Sequence, residues 1–256
     1  MKDYRYIKMI CGSIIVSVMI FASMDLFNNA LAYLYRKQKH KDAISVTGSK
    51  EMEFASNFIA WEANFSKRNK DLKLAYASLK ADRQLIKDFL LSNGVKESEI
   101  IFKSIDISKD YKNKSKYNKD GDKVDTEQLF IGYILNQNVE VQSNNVDLIE
   151  GVANKVTDLI EKDVRISSYA PSYYYTNLEE LKIKMIDKAS KDGLQRAQTA
   201  VEGAGGELGD LLHTSIGVFQ ILGKNSDENF SWGGTLNTTH KNKIAYVNVK
   251  QRYEIK

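Results

Sequence analysis

The chain has 256 residues, 43% of them hydrophobic and 27% charged, which is enough apolar material for a sizeable core, so the chain need not be disordered. Residues 1–41 hold seven Lys/Arg against two acidic residues, a net of +5, and this leaves the remaining body at −1. A near-neutral body excludes nucleic acid as the main partner, because that binding needs concentrated positive charge.

Met9 to Met24 is an uncharged run of sixteen residues behind Lys2, Arg5 and Lys8, the layout of a segment read by export machinery. As a helix it spans about 24 Å, short of the roughly 30 Å hydrocarbon core, although Leu26 to Tyr35 adds apolar surface beyond Asp25. Two readings stay open: an uncleaved membrane anchor, or a signal segment cleaved near Ala30-Leu31-Ala32. Either one with the amino end inside puts the body outside the cytoplasm, on the periplasmic side of the inner membrane if anchored. We therefore divide the chain into an N-terminal segment with linker, 1–41, and one folded domain, 42–256. The only cysteine, Cys11, lies in the apolar run, so the body has no thiol for a disulfide, a nucleophile or a metal site. His40, His213 and His240 do not fall at a ligand spacing, and no metal is expected.

In the body, Ile44-Ser45-Val46-Thr47-Gly48 is β-prone, and Phe58 to Phe65 alternates with Ile59, Trp61, Ala63 and Phe65 on one face. These two stretches predict an early β-hairpin. From Asp71 to Leu91 the period becomes helical, with Leu72, Tyr76, Leu79, Ile86 and Leu90 in one stripe and Asn93-Gly94 as the stop. Ile100 to Ile107 reads as a strand, and 108–127, rich in Lys, Asn and Asp, reads as a long solvated connection with a hairpin tip at Asp120-Gly121. That stretch is a poor calcium loop, because placing Gly121 at the loop glycine puts Lys116 at the first ligand position.

Phe130 to Val141 is the clearest strand, with Ile131, Tyr133, Leu135, Val139 and Val141 facing one way. Leu148, Val152, Val156, Leu159 and Ile160 mark a second helix. Then comes Tyr173-Tyr174-Tyr175, which reads either as a strand with half-buried tyrosines or as a stacking platform for a glycan or peptide. Leu178, Leu181, Met185, Ala189, Ala197, Ala200 and Val201 form the narrow face of a third helix, whose small residues allow it to lie close against a sheet. Gly203, Gly205 and Gly206 end it, Leu208 to Leu222 is a strand, and Asn225 to Asn242 is a Gly/Asn/Ser/Thr-rich loop carrying Trp232. Ala245, Val247, Val249, Tyr253 and Ile255 alternate to the end. The expected fold is α+β: three helices packed on largely antiparallel β-sheet, preceded by the hydrophobic N-terminal segment.

Ile44-Ser45-Val46-Thr47-Gly48, the Gly132-Tyr133 start of the strand leading to Val139-Glu140-Val141, and the passage Ala197 to Gly209 with Gly205-Gly206-Glu207-Leu208-Gly209 resemble the SIMPL-domain family over about residues 43–256. The resemblance implies an exported bacterial envelope protein, often labelled oxidative-stress defence, with no known catalytic residues and no cofactor. It also implies homo-oligomers, ring-like in some relatives. With no thiol in the body to consume an oxidant, protection would have to be indirect. The leading expectation is a non-enzymatic protein acting by self-assembly or partner binding. The alternative is a ligand- or glycan-binding module using Tyr173, Tyr174, Tyr175 and Trp232. A hydrolase built on His213 and Ser215 is less supported, because their i, i+2 spacing supplies neither an orienting acid nor an oxyanion hole.

Overall fold

The computed structural model describes residues 19–35, 42–118 and 120–256. Most of the uncharged run, residues 9–18, lies outside the described residues. The described residues hold four α-helices rather than three. The additional one, α1, residues 19–35, continues the hydrophobic segment, where no Gly or Pro interrupts the helix. Among the described residues no helix is long and apolar enough to cross a membrane.

The α+β class holds. Strand β1 (Ala43–Ala55) pairs with the closing strand β11 (Asn242–Ile255), which also takes β8 (Leu208–Ile216) and β9 (Gln220–Gly223); β10 (Thr235–Leu236) extends β9. The second sheet runs β3 (Ile100–Phe102), β5 (Lys123–Ser143), β2 (Phe58–Asn69), β6 (Ile166–Ser168), with β4 (Asp106–Tyr117) also on β5 and β7 (Ser172–Tyr174) also on β2. In the registers described, only β9 with β10 is parallel.

The chain forms two compact units. One comprises Glu51–Met185 and Val218–Tyr246, the other the described residues up to Lys50 with Ile186–Gly217 and Val247–Lys256. In the larger unit the core lies on one face of the second sheet. Ile59, Trp61, Ala63 and Phe65 of β2 and Leu135, Val139 and Val141 of β5 meet α2 (Leu72–Ser92) and α3 (Val146–Lys155). The β2 alternation is as expected from its spacing. In α2 the buried line is Ala75, Leu79, Asp82, Ile86 and Leu90, while Leu72 and Tyr76 are exposed. Asp71 caps this helix, accepting hydrogen bonds from the Lys73 and Leu74 amides at 2.8 and 3.0 Å. The second predicted helix splits, since Val156–Lys162 continues α3 as a 3-10 turn and leaves Ile160 exposed.

In the smaller unit, α4 (Leu178–Glu202) contributes Ala189, Gly193, Ala197 and Val201, a buried line repeating every four residues. A Cβ on Gly48 of β1 would lie 2.0 Å from the Ala189 carbonyl oxygen and 2.4 Å from the Gly193 nitrogen, so strand and helix cross backbone to backbone. Beside this crossing, the Ser49 amide donates to Asp192 Oδ2 at 2.9 Å and Arg196 Nε donates to the same oxygen at 2.8 Å. The Ser49 amide first, then Arg196, hold the Asp192 carboxyl below its ordinary range.

Three further expectations need correction. β1 and β2 do not form a hairpin but enter different sheets, because the connecting amides are taken elsewhere: Ser56 N donates to Lys241 O and Asn57 N to Tyr174 O. The polar stretch 108–127 is not a loop but most of a two-stranded ribbon of β4 and β5, turned at 118–122. Its alternation was invisible because neither face of the ribbon is covered along 123–130, so both faces stay polar or exposed. Leu208 to Leu222 is two strands, interrupted at 217–219, where the Gly217 amide bonds the Asn248 carbonyl.

Candidate functional site

The three consecutive tyrosines have different surroundings. β7 sets the first two along the outer edge of β2, with Ile59 opposite Tyr173 and Phe58 opposite Tyr174. Tyr173 packs on the core, and its hydroxyl donates to Glu150 Oε1 at 2.8 Å. Burial, reinforced by the Glu150 carboxylate, pushes this phenol up to about 12. Glu150 Oε2 accepts from Lys241 at 2.7 Å, so the ring is held by an ion-paired carboxylate. Tyr174 is more exposed and meets Phe58 edge-on at 6.3 Å, while Tyr175 packs on Phe54 at 4.8 Å.

Trp232 lies apart from these rings, fully exposed, in the loop after β9. Its neighbour Phe230 stacks on Tyr246 at 5.0 Å. The loop is tied down by Asn237, which is 4% exposed. Asn237 Nδ2 donates to Glu228 Oε1 at 2.6 Å, its Oδ1 accepts from the His240 amide at 2.9 Å, and its carbonyl accepts from Lys243 Nζ at 2.5 Å. The Gly223 amide, then Asn237, hold Glu228 below the usual carboxylate range.

Lys243 is the unusual member, an ammonium at 1% exposure that reaches Asn237 O and Oδ1 without a direct carboxylate contact. Burial pulls it down to about 8, partly offset by the charge of Glu228. It lines a cavity of about 30 Å³ with Phe54, Tyr173, Tyr175, Ile221 and Asn237, room for about one water.

The outer face of the second sheet offers a larger space. Glu62 of β2 and Glu140 of β5 are direct cross-strand partners. With Lys103, Tyr169, Ser172 and Tyr174 they line an open cleft of about 560 Å³. Lys103 ion-pairs with Glu140, and Asn138 Nδ2 donates to Glu62. The Lys103 contact, then Gln142, hold the Glu140 carboxyl below its ordinary range. Among the described residues no group of three or more His, Cys, Asp or Glu could hold a metal ion.

With this geometry in hand, the model of one protein family, SIMPL, described as a protein of unknown function (DUF541), matches residues 44–236. That is about three quarters of the chain. The chain belongs to the SIMPL family. No curated protein matches it in sequence comparison. The SIMPL match runs from β1 through β10, so it takes in the tyrosines, Trp232 and the whole lining of the cleft. It stops one residue short of Asn237, leaving Asn237, Lys243 and β11 beyond it.

Sequence reasoning missed Lys243, Asn237 and the Glu62–Glu140 pair. Lys243 carries a weak signal, since it falls on the inward parity of Ala245 and Val247 in an alternating strand. The carboxylate pair carries none, because it depends on the register between strands more than 70 residues apart in sequence.

Proposed function

We propose that this SIMPL protein is a non-catalytic envelope protein, exported and tethered by its N-terminal segment, that works by assembling with copies of itself. The observation that carries this reading is strand β8. Among the described residues it pairs with β11 alone, and it leaves Asp210 to Ile216 exposed, including Leu211, Leu212 and Ile216. Edge strands in soluble proteins are commonly protected by lysines or prolines. Here the nine residues carry neither, and Asp210 is their only carboxylate. Two register shifts blunt the strand, one at Leu212, where Leu211 faces Tyr253 and His213 faces Arg252, and one between Leu211 and Leu208, which faces Ile255.

An edge with apolar side chains and free backbone groups suits strand-to-strand pairing between copies. The tether is supported by the basic flank of residues 2–8 and by the exposed Met19, Phe21, Leu26 and Phe27 of α1. A contribution to stress tolerance would follow from the assembly rather than from any reacting group in the body.

The test is sedimentation of the full chain in density-matched detergent over a hundredfold concentration range, with Leu211→Lys/Ile216→Lys beside it. A discrete oligomer that the double variant dissociates, with circular dichroism unchanged, is the expected result. A wild-type monomer at every concentration would overturn the reading.

A further inference from the structure

The cleft over Glu62 and Glu140 has a lining that selects a ligand by its chemistry. Two carboxylates placed directly opposite each other on neighbouring strands repel. They are kept here by amide and ammonium donors: Lys103 on Glu140, Gln142 Nε2 on Glu140 and Asn138 Nδ2 on Glu62. Asn138 is in turn fixed by Asn64 Nδ2, which donates to its Oδ1 at 2.6 Å. The floor is therefore two carboxyl groups set on paired strands, with the half-exposed Lys103, just past β3, as the donor beside them.

The rim is fixed to that floor, because the Tyr169 amide donates to the Glu62 carbonyl at 3.0 Å. Tyr169 and Tyr174, which also line the cleft, are 51% and 40% exposed, so each keeps free ring surface. Among the described residues Glu62 has only the Asn138 amide as a side-chain hydrogen-bond partner, so a carboxyl group with spare acceptor capacity lines the cleft.

We propose that this cleft binds a neutral saccharide. A pyranose supplies hydroxyl donors for the carboxylates, hydroxyl oxygens for Lys103, and a flat C–H face for a tyrosine ring. Three other ligand classes fit the lining less well. An anion meets two carboxylates against one ammonium. A wholly apolar ligand leaves those charges desolvated and unpaired. A cationic side chain would suit Glu62 and the tyrosines but would compete with Lys103 for Glu140. The volume of about 560 Å³ lies within the range of small-ligand sites and accommodates roughly one or two sugar rings. This site shares no residue with β8, so assembly and saccharide binding can fail independently.

The experiment is saturation-transfer NMR of the full chain with millimolar maltotriose, cellotriose and N-acetylated chitotriose, followed by titration calorimetry of any that bind. The expected result is binding of at least one, weakened about tenfold or more by Tyr169→Ala and by Glu62→Gln, with sedimentation unchanged. Both changes are at surface-accessible side chains, and Gln can still accept the Asn138 hydrogen bond. Binding that neither variant weakens would overturn the proposal, as would no transfer to any of the three sugars. A tetra-arginine peptide that binds in a Glu62-dependent way while the sugars stay inert would also overturn it, in favour of a cationic peptide.

Discussion

The crossing of β1 over α4 makes Gly48→Ala the most informative single substitution. The added Cβ would sit 2.0 Å from the Ala189 carbonyl oxygen, 2.4 Å from the Gly193 nitrogen and 2.8 Å from the Gly193 Cα. Ordinary contact begins near 3.4 Å, so the strand and helix would have to part by roughly 1 Å or more. All three obstructing atoms are backbone, so no rotamer change relieves them. Overpacking typically costs about 1–3 kcal/mol, and here relief also loosens Ala189 and Ala197, both 0% exposed, so a cost of about 3 kcal/mol is expected. For a chain of this size that is a fall of roughly 6–12 °C in Tm.

Gly193→Ala provides the comparison, because its Cβ meets the side-chain oxygen of Gln251 at 2.0 Å and the Gly48 nitrogen only at 3.2 Å. A side chain can move, so this change should cost about half as much, and Gly193→Ala/Gln251→Ala should recover part of the loss relative to Gly193→Ala alone. Gly151, in α3, has nothing within 4 Å of its Cβ position, and Gly151→Ala should gain up to about 1 kcal/mol. Thermal melts by circular dichroism, checked by urea titration, measure all four proteins. A Gly48→Ala protein melting within about 2 °C of wild type, or melting above Gly193→Ala, would refute the backbone-contact argument.

Lys243 should make stability rise with alkalinity. Its folded value of about 8 is below the ordinary 10.5, so between these values the unfolded chain holds a proton that the folded protein has released, and stability increases with pH across that window. From pH 8 to 9.5 the gain is about 2 kcal/mol relative to Lys243→Met, read as the difference in urea midpoints multiplied by m; parallel curves for the two proteins would refute it. Asp71→Ala should cost about 1 kcal/mol through loss of the α2 cap, with Asp71→Asn recovering most of it. Equal urea midpoints for Asp71→Ala and wild type would show that the cap contributes nothing. Leu79→Ala, at a position with no exposure between helix and sheet, should cost about 2–5 kcal/mol, and a melt within 2 °C of wild type would contradict the packing described.

The residues of β2, the later half of β5, β11 and the buried line of α4 announce themselves, because one face of each is covered and the period of 2 or 3.6 is written into apolar side chains. The α+β class follows from that much, while the family resemblance rests on the particular residues of Ile44 to Gly48, Gly132-Tyr133 and the Ala197 to Gly209 passage. The ribbon of β4 and β5 does not announce itself, because hydrogen bonds between two uncovered strands demand no apolar alternation. Nor does the separation of β1 from β2, since nearness along the chain favours a hairpin and only competing partners for the Ser56 and Asn57 amides prevent one.

The functional surfaces divide in the same way. Tyr173, Tyr174, Tyr175 and Trp232 stand out as residue types, but their usefulness depends on direction: Tyr173 turns inward to Glu150, and Trp232 turns fully outward. Glu62 and Glu140 are unremarkable outward residues of two strands until register sets them side by side, and Lys243 is an ordinary lysine until burial strips its water. Local sequence determined which segments could bury a face. Tertiary structure alone decided which polar groups met, because pairing between distant segments sets the distances on which charge and hydrogen bonding depend.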